Sequence, residues 1–446
     1  MSETPVDAPE VTLPPEVRSR GQAAITSVTV YDTVLFGTAL GSVASLFVLN
    51  VGGSSFHVAL LATAGQIAPL AQVVGLRLLP RVGKARLVMG GHVLASIPLV
   101  LLALLAISGM SGPPAAWAAV AAVAVFSLVF TVGQTAWWPA IQDNTAGDAV
   151  EPFFARMRTR YQLVGVVVSV SVAFFMGRDP AHWRFMLTFL CGAAALVLGG
   201  LCMRVVSERP FVPAKSGLFD RLLAASRVPS IRRYISFVAC RVAVFIIATP
   251  FWVVILKKHG LSEGFIVWLS AVVALGNVSG VRWWGRFVNR WNFRAAITIA
   301  LLSEALLGLA WLAFPAEGHA VKVWAVIFYA LWGFLEGGYL MGWTRAMLGS
   351  IPSSSQADGF TLATVVCSLA GAAAGLLGGT IFNALAETQI GGISGWMLYL
   401  CIAQLLFAGA WLMSFRLKGY TEQVPARRLV TVFFMLIVRR AKRLVE

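Results

Sequence analysis

The run LVMGGHVLASIPLVLLALLAISG, residues 87–109, contains a single ionisable side chain, His92, in 23 positions. A few residues on, AAWAAVAAVAVFSLVFTVGQTAWW, residues 115–138, contains none. A transmembrane helix needs about 20 consecutive apolar residues, whereas a barrel strand shows about ten residues in alternation. Both runs are continuous and long enough, so each is expected to cross a membrane as a helix. Working outward from this pair, ten more segments of the same kind can be marked. The full set is about 24–49, 55–76, 87–109, 115–138, 161–177, 184–203, 234–256, 262–282, 295–314, 321–343, 360–386 and 393–415.

The bulk composition agrees. Hydrophobic residues make up 58% of the 446 and charged residues only 12%, with a mean hydropathy of +0.80. Soluble globular chains carry roughly 45–50% apolar and about 25% charged residues. A soluble enzyme, a disordered protein and a disulfide scaffold are all excluded by this balance. The five cysteines (Cys191, Cys202, Cys240, Cys367 and Cys401) lie inside apolar runs without metal-ligand spacing and are read as small hydrophobes.

The longest polar stretch between spans, Arg204 to Arg233, falls after the sixth and divides the chain into six spans, a linker and six spans. The expected organisation is a cytoplasmic tail at 1–22, a six-helix bundle at 23–204, a cytoplasmic linker at 205–233, a second bundle at 234–418 and a basic amphipathic tail at 419–446. Of the 35 Lys and Arg, 29 fall on the side of the two termini. Only Arg178, Arg184, Lys257, Lys258 and Lys322 fall on the other side, and Arg241 lies inside a span. Basic loops face the cytoplasm, so both termini are expected there, in a bacterial inner membrane or a plasma membrane. The net charge of +16 is read as this bias, facing anionic lipid rather than nucleic acid. In the tail, Arg427-Arg428 and Arg439-Arg440 bracket a ten-residue apolar run too short to span. Two placements stay open for it, in the interface against anionic lipid or packed on the bundle.

Sliding the sequence on itself by 209 residues superposes Arg81 on Arg290, Gly83 on Asn292 and Asp32 on Arg241. Related six-span halves are typical of secondary transporters, whose substrate site lies near mid-membrane between them. The stretch Gly285-Arg286-Phe287-Val288-Asn289-Arg290-Trp291-Asn292-Phe293-Arg294 resembles the major facilitator superfamily signature G-x-x-x-D-R-x-G-x-R. Gly285, Arg290 and Arg294 match it, while Asn289 and Asn292 replace its Asp and Gly. The first-half copy keeps Arg81, Gly83 and a following Lys84, with Pro80 at the Asp position and Gly75 one residue out of register. The resemblance implies an all-α integral membrane protein with twelve transmembrane helices in two pseudo-symmetric six-helix bundles. It also implies cytoplasmic gating loops at these residues, without the latch that the family's Asp supplies.

Ionisable groups within spans cost about 2.5–3.5 kcal/mol each on insertion scales, so each needs a partner or a cavity. The resemblance implies a cavity lined by spans one, four, seven and ten, and these carry Asp32, Gln134, Arg241 and Glu336, one each. Counted along the helices, all four fall in a layer about 10 Å from the cytoplasmic face. Three roles stay open for the layer. Asp32 or Glu336 with Arg241 forms an interdomain ion pair that closes the cytoplasmic side. Alternatively, Arg241 binds an anionic solute group while a carboxylate exchanges a proton, or a static pair merely satisfies its charges. Glu304, on the outer ninth span, is expected to bond a neighbouring helix such as one carrying a serine. His92 is expected to be a hydrogen-bonded interface residue, and Gln66 and Gln72 are ambiguous.

No phosphate loop G-x-x-x-x-G-K-[ST], H-E-x-x-H or G-x-S-x-G occurs, so neither nucleotide hydrolysis nor hydrolase chemistry is indicated. The sugar-porter string P-E-S-P-R is replaced by Ser207-Glu208-Arg209-Pro210-Phe211, and the fifth span lacks the Gly-Pro string of drug antiporters. The function expected is secondary transport (symport) of a small organic solute, anionic or zwitterionic, coupled to protons, by a monomer without cofactor or metal. The alternatives are a transporter of lipid-like amphiphiles and a non-transporting scaffold, sensor or assembly factor on the same fold.

Overall fold

The computed structural model describes residues 13–145, 150–209, 217–290, 292–315, 318–351 and 356–417. The C-terminal amphipathic segment and the first twelve residues lie outside them. Twelve helices are long and apolar enough to cross a membrane: Pro15–Asn50, Ser55–Val82, Lys84–Ile107, Pro113–Asn144, Thr159–Met176 and His182–Val205, then Pro229–Lys258, Glu263–Val288, Phe293–Ala313, His319–Met347, Asp358–Leu385 and Gly395–Ser414. Each coincides with one expected segment. Below they are the first to twelfth spans; the end of the bundle at which the first begins is called proximal and the other distal.

Two local differences from expectation are informative. The first helix begins at Pro15, within the stretch expected to be a polar tail, because proline at the first helical position sacrifices no hydrogen bond. The eighth-span helix runs on to Arg290 and the next helix begins at Phe293, so most of the signature quoted above is helical. A two-stranded hairpin, Gln389–Ile390 paired with Ile393–Ser394, joins the eleventh and twelfth spans in an otherwise helical chain.

The 209-residue repeat is visible in the backbone. The first span is interrupted at Leu40-Gly41 and the seventh at Thr249-Pro250, positions that the repeat superposes. Gly83 and Asn292, also superposed, both take positive φ (88° and 150°) as the residue before a helix. At φ 150°, ψ 152° Asn292 holds a conformation that is essentially glycine's, and its amide oxygen accepts a bond from the Arg294 backbone N–H at 3.1 Å.

Within the second half, the eighth and tenth spans meet backbone to backbone along Gly276, Gly280, Gly333 and Gly337. A Cβ on Gly333 would lie 2.2 Å from the Val273 carbonyl oxygen, and one on Gly276 would lie 2.5 Å from that of Ala330. Small residues let membrane helices approach this closely. Gly333→Leu is therefore expected to destabilise the protein by at least about 1–3 kcal/mol, read as a lower thermal midpoint in detergent. Gly90→Leu, with open space around its Cβ position, is expected to leave it unchanged.

The halves touch through the fifth span on the eighth and the second on the eleventh. Among the described residues four hydrogen bonds join them in the distal part. Gly264 N–H donates to the Gly177 carbonyl at 2.8 Å and Asp179 N–H to Glu263 Oε2 at 3.3 Å. Ser42 and Ser270 hydroxyls meet at 3.5 Å, and the Ser55 hydroxyl donates to Asn383 Oδ1 at 3.2 Å. The halves are thus bonded to one another at the distal end.

Candidate functional site

Arg241, on the seventh span, has only 3% of its surface exposed. Its Nη2 donates to Glu336 Oε2 on the tenth span and lies 3.4 Å from Glu304 Oε2 on the ninth. Four rings enclose the guanidinium. Its central carbon lies 4.6 Å from the centroids of Tyr339 and Phe407, 5.1 Å from Phe245 and 5.8 Å from Trp332. A cation desolvated against aromatic faces gains about 2 kcal/mol from each good contact, and arginine's planar, weakly hydrated head suits such a box. One cation between two carboxylates leaves the cluster at −1 with both acids ionised, and neutral with one proton added.

This geometry corrects two sequence expectations. Glu304, expected to bond a serine-bearing neighbour, is fully buried and pairs with Arg241 instead; the ninth-to-twelfth-span contacts are made by Gln404 and by Thr298 with Ser414. The Arg241–Glu336 pair forms within the second half, not between halves, because both residues sit on helices of that bundle. Neither oxygen of Glu304 accepts a hydrogen bond of good geometry among the described residues, and Oε2 stands 3.4 Å from the Arg241 guanidinium.

Asp32 takes a partner in its own half. His92, on the third span and fully buried, brings Nε2 to 3.0 Å from Asp32 Oδ1, while its Nδ1 lies 2.9 Å from the Val88 carbonyl oxygen. Side-chain exposure is 15% at Asp32 and 19% at Glu336, against 0% at His92 and 3% at Arg241. In each half, then, an acid faces outward with a base behind it. Gln134 is half-buried at the end of the fourth-span helix Pro113–Gln134. Among the described residues no hydrogen bond or ion pair joins Asp32 or Gln134 to Arg241 or Glu336, so the expected layer resolves into two separate clusters.

At the proximal loops Lys84 is buried, and its Nζ reaches Asp143 Oδ2 at 2.5 Å. Asp143 also accepts from the Arg209 N–H at 2.9 Å, and Glu208 Oε2 accepts from the Ala85 N–H at 2.7 Å, at the start of the third span. A carboxylate at a helix N-terminus is favoured by the unpaired N–H groups there. Arg81 is exposed, and Gly83 supplies the turn. In the second half Gly285 is half-buried, and Arg294 Nη2 donates to the Phe415 carbonyl at 2.9 Å. Asn289 and Arg290 form the last turn of the eighth-span helix.

Asp143, Glu208 and His92 are functional candidates that motif matching does not single out. The signal for Glu208 is that it is the glutamate surviving from the sugar-porter string, and the signal for Asp143 is a lone acid just past a span. Lys84→Gln is expected to cost about 1.5–3 kcal/mol, the range for a hydrogen bond to a charged group. A fall in the thermal midpoint, reversed in part by the further change Asp143→Asn, checks it.

No family model matches the chain, and no curated protein matches its sequence. Solved structures do. A nucleoside transporter, NupG, superposes with a TM-score of 0.65 at 13% identity, covering 89% of this chain and 100% of that one. A D-xylose–proton symporter gives 0.61 at 17%, covering 89% and 96%. The inward-open xylose transporter XylE from E. coli gives 0.61 at 14%, covering 94% and 98%. These likenesses extend over nearly the whole chain and establish its fold.

Proposed function

We propose that this chain, built on the fold of the major facilitator transporters, is a secondary active transporter that moves a small organic solute by alternating access, coupled to protons. The observation that carries the assignment is the pair of acid–base clusters, Asp32 with His92 and Arg241 with Glu336, each with one member on the first helix of its half, in halves that are bonded distally. Rocking the halves would break the distal bonds and close the proximal side, exposing the clusters to each face in turn. The basic loops put the proximal side in the cytoplasm of a bacterial inner or plasma membrane, so the present conformation faces inward. A monomer is expected, with the tail at 419–446 resting on anionic lipid.

The solute's charge follows from which groups are outermost. Arg241 is enclosed and already engaged by two acids, so an anion gains little from it. Asp32 and Glu336 are the partly exposed members, and they favour a solute that offers an ammonium or other hydrogen-bond donors, zwitterions included. This replaces the anionic preference expected from Arg241 alone.

Proteoliposomes carrying a pH gradient and offered amines, amino acids, nucleosides and sugars test the assignment. Gradient-driven accumulation of one class is expected, and Asp32→Asn and Glu336→Gln should abolish it while still inserting as monodisperse protein. A protein that tolerates both changes and fails instead when residues 425–446 are removed is a scaffold, and the assignment falls.

A further inference from the structure

We infer that Asp32 and His92 together form a proton-binding site that holds one shared proton in the distally closed conformation. The inference follows from the valences of the ring. The Val88 carbonyl can only accept, so His92 Nδ1, 2.9 Å away, carries a hydrogen. With Nδ1 so occupied, a neutral imidazole presents a bare lone pair at Nε2, 3.0 Å from a carboxylate oxygen. Two acceptors at that distance repel. The contact is attractive only with a proton between them, either as imidazolium and carboxylate or as imidazole and carboxylic acid. The arrangement therefore contains one proton more than a neutral histidine facing an ionised aspartate.

The surroundings restrict where that proton can go. The sixth span turns Gly199 and Gly200 to the imidazole: a Cβ on Gly200 would sit 3.1 Å from His92 Cβ, and one on Gly199 would sit 3.8 Å from His92 Cδ2. The fourth span turns Phe130, whose ring centroid lies 5.1 Å from that of His92. The fifth span turns Gly165 and Val168 to the first. Among the described residues no second acid or base bonds to the pair. The nearest titratable side chains along these elements are Tyr31 beside Asp32, Cys202 on the sixth span, and Tyr161 with Arg160 on the fifth. Among the described residues His92 is fully buried and Asp32 is 15% exposed, so the carboxylate is the accessible member of the pair. On release the proton passes to water through Asp32, leaving a carboxylate and an imidazole protonated at Nδ1. The two then repel, and Asp32 is freed toward the solute.

That this proton is the one exchanged during transport rests on the transporter assignment; that the pair binds it does not. The test therefore reads the proton directly. Full-length protein with 15N-labelled histidine is purified in detergent and its imidazole 15N shifts are read at neutral pH, where protonated and bare ring nitrogens give distinct signals. Comparison with His92→Gln identifies the His92 resonances among the five histidines. The expected result is a hydrogen on Nδ1 and a shared proton at Nε2 in the wild type, a bare Nε2 in Asp32→Asn, and the shared proton restored in Asp32→Glu. A bare Nε2 in the wild type, or a His92 signal identical in wild type and Asp32→Asn, overturns the site. If the shared proton is found but no solute is transported by the same preparation, the transporter assignment fails and the site stands. If transport is found with a bare His92 Nε2, the reverse holds.

Discussion

Replacing Arg241 by Met is expected to cost about 3–5 kcal/mol, the largest stability loss of any single change within the spans. The variant leaves Glu304, fully buried, and Glu336 facing one another without a cation, in a box of four aromatic rings that offers no compensating charge. Charge arithmetic orders the rest of the series. Glu304→Gln leaves Arg241 and Glu336 as a balanced pair and is expected within about 1 kcal/mol of the wild type. Glu304→Gln with Glu336→Gln strands the arginine and should approach the loss in Arg241→Met. The triple change, with all three charges gone, should recover most of it, since a buried ion pair is often replaced at little cost by neutral groups of similar size. Thermal midpoints in one detergent check the order. An Arg241→Met protein as stable as the wild type would mean that the cluster is not the electrostatic unit its distances indicate.

Gly264→Val is expected to leave the fold intact and to hold the distal side open. A Cβ at this position would stand 2.5 Å from the Ala173 carbonyl oxygen and 2.6 Å from that of Gly177, both on the opposite half. The helix containing Gly264 can keep all its own hydrogen bonds; what it loses is its seat on the fifth span. Overpacking costs about 1–3 kcal/mol, and placed wholly on the distally closed state it shifts the equilibrium between states by about 5- to 150-fold. The shift is read with Ser270→Cys in a background lacking the native cysteines. Ser270 lies 3.5 Å from Ser42 across the closed seam, so its labelling by a membrane-impermeant maleimide from the distal side should rise with Gly264→Val while transport falls. Unchanged labelling would show that this contact does not govern closure.

The spans, their division into two sixes and the 209-residue repeat are all legible in the sequence, because each depends on hydropathy or charge summed over many residues. The repeat also pairs the two helix breaks and the positive-φ residues Gly83 and Asn292. Partnerships are less accessible. Counting along the chain assigns Asp32 and Arg241 to their helices. Which neighbour each meets depends on the rotation of every helix about its own axis, and that is set by packing between residues distant in sequence. His92 is 60 positions from Asp32 and Glu304 is 63 from Arg241. Span order suggests an outer position for Glu304, and it misleads. The side chain instead points inward to the seventh span, where Arg241 offers a fully enclosed cation as partner.

Superposing Asp32 on Arg241 has an evolutionary implication. A two-fold dimer of identical halves puts the same residue on both sides of its axis, so an assembly of two copies of either half would carry an acid in both copies or a base in both copies at these positions. The present chain has an acid in one copy and a base in the other, and each copy has recruited its complement from a different neighbouring helix. One half thus holds an arginine against two acids of its own, and the other a histidine against a single aspartate. The pseudo-symmetry is preserved in shape and abandoned in chemistry.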